Sequence, residues 1–139
     1  GGTAKALAYI LASNGVQVHI LNRSNKKDQF INYQFCTHSN FTCEDYDLVI
    51  NTTSAGLCSN ELPCDEMILK DIFANSKFAF DVIYNKLTPF LSLARKMGLK
   101  SKDGKDMLLY QAVLAFNLFY SNKFSTDKIT KLMHKAFEL

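Results

Sequence analysis

The chain has 139 residues, 47% of them hydrophobic, and carries a formal charge of +3. That length fits one domain, which hides roughly two-thirds of its unfolded surface on folding. The small charge, with lysines and arginines scattered rather than striped, does not demand a nucleic-acid partner, and none is expected. No apolar stretch reaches the ~20 residues that span a bilayer. No signal-peptide pattern opens the sequence, so a cytoplasmic protein is expected.

In chain order, Gly1-Gly2 precede Thr3 to Ala12, which is predicted as a helix, and Asn14-Gly15 closes it with glycine at the left-handed position. Val16 to Leu21 alternates with β-branched residues and reads as a strand. Asn22-Arg23-Ser24-Asn25 is a polar break, followed by a short helix over Lys27 to Tyr33 and a small strand over Gln34 to Thr37. Asp47 to Asn51 is a second apolar strand, ending in Thr52-Thr53-Ser54-Ala55-Gly56. Pro63 to Phe73 reads as a helix and Phe78 to Asp81 as a buried strand. Pro89 to Met97 is a helix that Thr88 can cap and Gly98 stops. A brief strand over Leu99 to Ser101 leads to Asp103-Gly104 and a helix apolar on nearly every side from Met107 to Tyr120. Ser125 caps a last amphipathic helix with Ile129, Leu132, Met133 and Phe137 on one side.

Strands alternating with helices predict βαβ units: a Rossmann-like, doubly wound, mostly parallel sheet, followed by C-terminal helices. Ligands in such sheets sit beyond the carboxyl ends of the strands. Asn22-Arg23-Ser24, Asn51 to Ser54 and Asp81 to Tyr84 all fall there. Cys36, Cys43, Cys58 and Cys64 form no C-x-x-C pair, and His19, His38 and His134 have no ligand spacing, so reduced thiols and no metal are expected.

Two glycines opening a helix suit a phosphate, which can approach a bare backbone at the positive end of the helix dipole. The strand that should feed this turn is not in the sequence, so the sheet is expected to lack its first strand. Arg23 follows the next strand, where an acid would favour NAD and an arginine accommodates the 2′-phosphate of NADP. Lys26 and Lys27 add charge; the alternative is a solvated basic turn. The hydroxyl run Thr52-Thr53-Ser54 either satisfies backbone at a strand end or lines a nucleoside pocket. Gln111, inside the apolar helix, is expected to be tied to backbone or aimed at a ligand, since a buried unpaired amide costs roughly 1–3 kcal/mol.

Taken in order, Gly1-Gly2-Thr3-Ala4-Lys5-Ala6, Asn22-Arg23-Ser24-x-x-Lys27, Asn51-x-Thr53-x-x-Gly56, Asp81-x-x-Tyr84 with Thr88-Pro89, and Asp103-Gly104-x-x-Met107-Leu108-x-x-Gln111-Ala112 resemble the carboxy-terminal, NADP-binding half of shikimate dehydrogenase. The resemblance runs over essentially the whole chain. It implies an enzyme that reduces 3-dehydroshikimate to shikimate with NADPH, on the way to chorismate and the aromatic amino acids. It would put Gly1, Gly2 and Thr3 against the pyrophosphate and Asn22, Arg23, Ser24 and Lys27 around the 2′-phosphate and adenine. Thr53 and Ser54 would line the adenosine pocket, and Val82, Gly104 and Met107 would flank the nicotinamide. Tyr84 and Gln111 would touch the substrate. Lys27 stands where the family commonly has Arg, and Ser24 where Thr is common.

The family's proton-transfer Lys and Asp belong to an amino-terminal substrate domain, so no catalytic residue is expected in this chain. Residues 1–139 would be an N-terminally truncated NADP-binding domain, inactive alone, whose partners are the missing domain and a small-molecule substrate, with a homodimer as the assembly at full length. The alternatives are a non-catalytic nucleotide-binding remnant and a quinate/shikimate relative.

Overall fold

The computed structural model describes residues 1–138. The elements run α1 (Gly2–Ser13), β1 (His19–Asn22), a 3₁₀ turn (Lys27–Phe30), β2 (Gln34–Thr37), β3 (Tyr46–Asn51), α2 (Glu66–Ala74), β4 (Ser76–Asp81), α3 (Pro89–Lys96), β5 (Lys100–Lys102), α4 (Lys105–Phe119) and α5 (Thr126–Phe137). Every predicted element is present, with ends displaced by a few residues. The first strand starts three residues later than its β-branched pattern suggests, at His19. The helix predicted from Pro63 starts at Glu66, because the Asp65 carboxylate accepts from the Met67 and Ile68 amides. Such an N-cap is worth about 1 kcal/mol.

All strand pairing is parallel, as βαβ crossovers require. The strands form two sheets, β1–β2 and β3–β4–β5. Thus β1 and β3 are each hydrogen-bonded to one neighbour only among the described residues. The two sheets still touch: His19, the first residue of β1, sits edge-on to Tyr46, the first of β3, with ring centroids 5.7 Å apart. Leu21 packs on the main core.

That core joins Leu69, Ile72 and Phe73 of α2, Ala79 of β4, and Phe90, Leu91 and Ala94 of α3. Phe73 and Phe90 meet edge to face at 5.1 Å, a geometry worth about 0.5–1.5 kcal/mol beyond burial. Val49 and Ala79 are cross-strand partners and turn toward these helices, whereas Leu48, Ile50, Phe78 and Phe80 lie on the other face. Leu48 there is 42% exposed, so the sheet is fully covered on one face only.

The last two helices form a separate hairpin with its own core of Leu109, Val113 and Ile129, backed by Phe116, Met133 and Phe137. An all-apolar helix is usually buried on every side. Instead α4 packs through Leu109 and Val113 and leaves Tyr110, Leu114, Leu118 and Phe119 exposed. On α5, Ile129, Met133 and Phe137 join this core, but Leu132 is exposed.

Candidate functional site

The polar clusters sit at strand ends. Asn22 closes β1, Asn51 closes β3 and Asp81 closes β4, with Asn51 and Asp81 paired in register across the parallel strands. From Asp81 outward three loops are fastened together. The Asp81 side chain, fully buried, accepts from Thr88 Oγ1 at 2.6 Å, the Ile83 amide at 3.1 Å and Asn51 Nδ2 at 3.2 Å. Asn51 Oδ1 accepts from the Thr53 amide at 3.0 Å and Thr53 Oγ1 at 2.8 Å. Thr88, at the start of α3, in turn accepts from the Leu91 amide.

The third loop is Asp103-Gly104. Gly104 donates to the Ile83 carbonyl at 3.1 Å. A Cβ built on Gly104 would lie 2.2 Å from the Val82 carbonyl oxygen. Only glycine permits that approach, so the start of α4 is pressed against the Val82 backbone. Asp103 holds both sides of the junction: Oδ2 accepts from the Asn85 amide and Oδ1 from the Lys105 amide, each at 3.2 Å. Asn85 carries a φ of +55°, which Asn tolerates better than most residues. Gly56, at φ +87°, lets the Thr53 loop close on Thr88 and Pro89, and Lys86 Nζ donates to the Leu57 carbonyl at 3.0 Å.

Val82 and Gly104 are thus brought into direct contact, with Met107 on the first turn of α4. Thr53 and Ser54 lie exposed on the loop after β3. Asn22 folds its own turn, donating from Nδ2 to the Ser24 carbonyl at 2.8 Å. Arg23, Ser24, Lys26 and Lys27 are exposed beyond it and make no ion pair among the described residues. Gly1, Gly2 and Thr3 are exposed at the start of α1, with no side-chain cap and no protein atom within 4 Å of a Cβ built at either glycine. The glycines are therefore not required by the protein's own packing. Tyr84 is 44% exposed. Gln111 is exposed as well, and this corrects the expectation of a buried amide. With α4 packed on α5 through its Leu109 side, Gln111 faces outward, and its amide needs no protein partner.

Close by, Lys102 Nζ bonds Asp106 Oδ2 at 2.5 Å, which holds the Asp106 carboxyl below its usual range. The pair is exposed and adds little to stability. The four cysteines are free, and burial, reinforced by Asp65, pushes the Cys64 thiol up to about 11. No group of His, Cys, Asp and Glu among the described residues could hold a metal.

No protein-family model matches the chain. The shikimate dehydrogenase (NADP(+)) of Helicobacter hepaticus is 46% identical over 93% of this chain and 50% of its own length. That of Helicobacter acinonychis is 46% identical over 99% of this chain and 52% of its own length. Along nearly its whole length the chain is similar to shikimate dehydrogenases, and it spans about half the length of these relatives. The crystal structure of a chorismate mutase/shikimate 5-dehydrogenase fusion protein from Clostridium acetobutylicum superposes with a TM-score of 0.73 at 26% identity, covering 99% of this chain and 51% of that one. The Rossmann-like shikimate dehydrogenase fold is therefore shared. The exposed glycines, the Arg23 turn and the Val82–Gly104 contact are the features to weigh against the cofactor of the shikimate dehydrogenases.

The Asn51–Asp81–Thr88 network and the Asp103 clasp join residues that the sequence motifs contain but to which they assign no role. Their trace in the sequence is a polar residue at the last position of each apolar strand and the Thr-Pro start of α3.

Proposed function

We propose that this chain is the NADP-binding half of an NADP-dependent shikimate dehydrogenase, which reduces 3-dehydroshikimate to shikimate. The observation that carries this is the 46% identity to proteins of that name along nearly the whole chain. The donor set fits the cofactor. A helix start free of side chains and rich in unpaired N–H groups suits a pyrophosphate at Gly1, Gly2 and Thr3. The exposed Arg23 guanidinium, with Ser24 and Lys27 beside it, suits a 2′-phosphate and can stack on adenine. Thr53 and Ser54 would border the adenosine, and Val82, Gly104 and Met107 the nicotinamide. Tyr84 and Gln111 would reach the substrate from the cofactor side.

When bound, the cofactor supplies the hydride. The chain's own work is to bind, orient and shield. The fastened loops hold Val82 and Gly104 as one surface against which a flat ring can be placed, and placement within a fraction of an ångström governs transfer. The proton that must reach the carbonyl oxygen would come from the part of the shikimate dehydrogenases that this chain does not span. The four free thiols suit a reducing compartment, and the proposal places the protein in the cytoplasm.

The test is titration of the purified chain with NADPH and NADH by fluorescence. NADPH should bind at least tenfold tighter, and Arg23→Asp should erase the difference. Equal binding of both cofactors by the unaltered chain would overturn the NADP reading, and no binding of either would overturn the cofactor reading.

A further inference from the structure

Three fastened loops carry the adenosine and nicotinamide ends of the proposed cofactor site, and one buried side chain joins two of them directly. Asp81 is fully buried, yet no cation pairs with it among the described residues. It is satisfied by three converging donors: Thr88 Oγ1, the Ile83 amide and Asn51 Nδ2. A carboxylate, which offers only acceptors, matches that set, whereas an amide turns one oxygen into a donor. A buried carboxylate is costly unless hydrogen-bonded, and these three donors meet that requirement.

That reach is short in one direction and direct in the other. Through Asn51, whose Oδ1 takes both the amide and the hydroxyl of Thr53, Asp81 is two hydrogen bonds from the adenosine-side loop. Through the Ile83 amide it holds the residue next to Val82, the nicotinamide-side wall, whose amide also donates to the Asn51 carbonyl at 3.1 Å. Through Thr88 it fixes the start of α3, on which the Gly56 loop closes. We infer that Asp81 is a positioning residue that sets the spacing between the adenosine and nicotinamide ends of the cleft, so that the whole dinucleotide, rather than either end alone, is bound in register. This rests on the cofactor reading above.

Asp81→Asn keeps the volume and removes one acceptor. Its test is binding of NADPH and of 2′-phospho-ADP-ribose, which lacks the nicotinamide, at a temperature where circular dichroism shows each protein fully folded. Asp65→Ala, which removes the α2 cap away from the cleft, is the destabilised control. Asp81→Asn should weaken NADPH at least tenfold and 2′-phospho-ADP-ribose less than threefold, while Asp65→Ala changes neither. Thr88→Val, which deletes a single donor, should give an intermediate loss for NADPH and serves if Asp81→Asn does not fold. Equal losses for both ligands, or NADPH affinity within twofold of the unaltered chain in the folded variants, would overturn the positioning role. Failure of the unaltered chain to bind either ligand would instead overturn the cofactor reading, and the positioning role with it.

Discussion

Gly104→Ala tests the loop junction most directly. The added methyl would sit 2.2 Å from the Val82 carbonyl oxygen and 2.7 Å from its carbon, both well inside the 3.4 Å where ordinary contact begins. Both obstacles are backbone atoms, so no rotamer change relieves them. Relief requires parting α4 from the Val82 peptide, which strains the Gly104–Ile83 and Val82–Asn51 bonds, each 3.1 Å. Overpacking costs about 1–3 kcal/mol and a weakened buried hydrogen bond adds about 0.5–1.5 kcal/mol, so a loss of about 2–4 kcal/mol is expected. At this chain length that is roughly 5–15 °C in Tm. Urea unfolding followed by circular dichroism measures it, with a two-state fit checked by a second probe. Gly98→Ala is the comparison: φ is +83° but the space is open, so only the left-handed strain of about 1–2 kcal/mol applies. A loss below about 0.5 kcal/mol at Gly104, within the range of an ordinary surface change, would refute the close-approach argument.

Gly2→Ala should act the other way round. No protein atom crowds that position, and alanine favours a helix by about 1 kcal/mol over glycine, so Tm should hold or rise while NADPH affinity drops at least tenfold; a drop in Tm without a drop in affinity would contradict it. The purified chain should show no NADP-dependent oxidation of shikimate in an absorbance assay, and turnover by it would remove the need for a second half. Cys64 gives a pH dependence. Its thiol is pushed from 9.0 up to about 11, so the fold favours the neutral form. Its contribution is complete below pH 9.0 and lost as pH rises towards 11. The urea-midpoint gap between the unaltered chain and Cys64→Ala should therefore narrow from pH 7.5 to 10.5; a constant gap would count against the buried-thiol account. In alkylation followed by mass spectrometry, exposed Cys58 should be labelled before Cys64.

The order and kind of the elements were readable because each carries its own local marker. Thr88-Pro89 and Ser125 begin helices at the residues expected, and the apolar runs before Asn51 and Asp81 are strands. The exposure of Gln111 was not readable because α4 has apolar residues all round, and such a pattern says how many faces prefer cover, not how many receive it. The fastening of the loops was not readable for a different reason. Asp81 meets Asn51 from thirty residues away and Thr88 from seven, and contacts between elements leave only single polar letters in the chain. The close approach at Gly104 likewise depends on where Val82 lies, which no local propensity encodes.

The division into two sheets bears on the proposed recognition of the 2′-phosphate. Arg23 and Lys27 sit beyond β1, and β1–β2 is a two-stranded ribbon, supported chiefly by Leu21 on the main core and by the stacked Phe30 and Phe35 rings. Ribbons of two strands are marginal by themselves. The turn proposed to read the 2′-phosphate is thus mounted on a thinly supported pair of strands, the kind of element that opens locally at low free energy. Its affinity for a nucleotide would be scaled down by the fraction of time the ribbon is formed. Occupancy would therefore slow amide exchange in β1 and β2 more than in β4, making recognition of the 2′-phosphate and completion of this corner of the fold a single equilibrium.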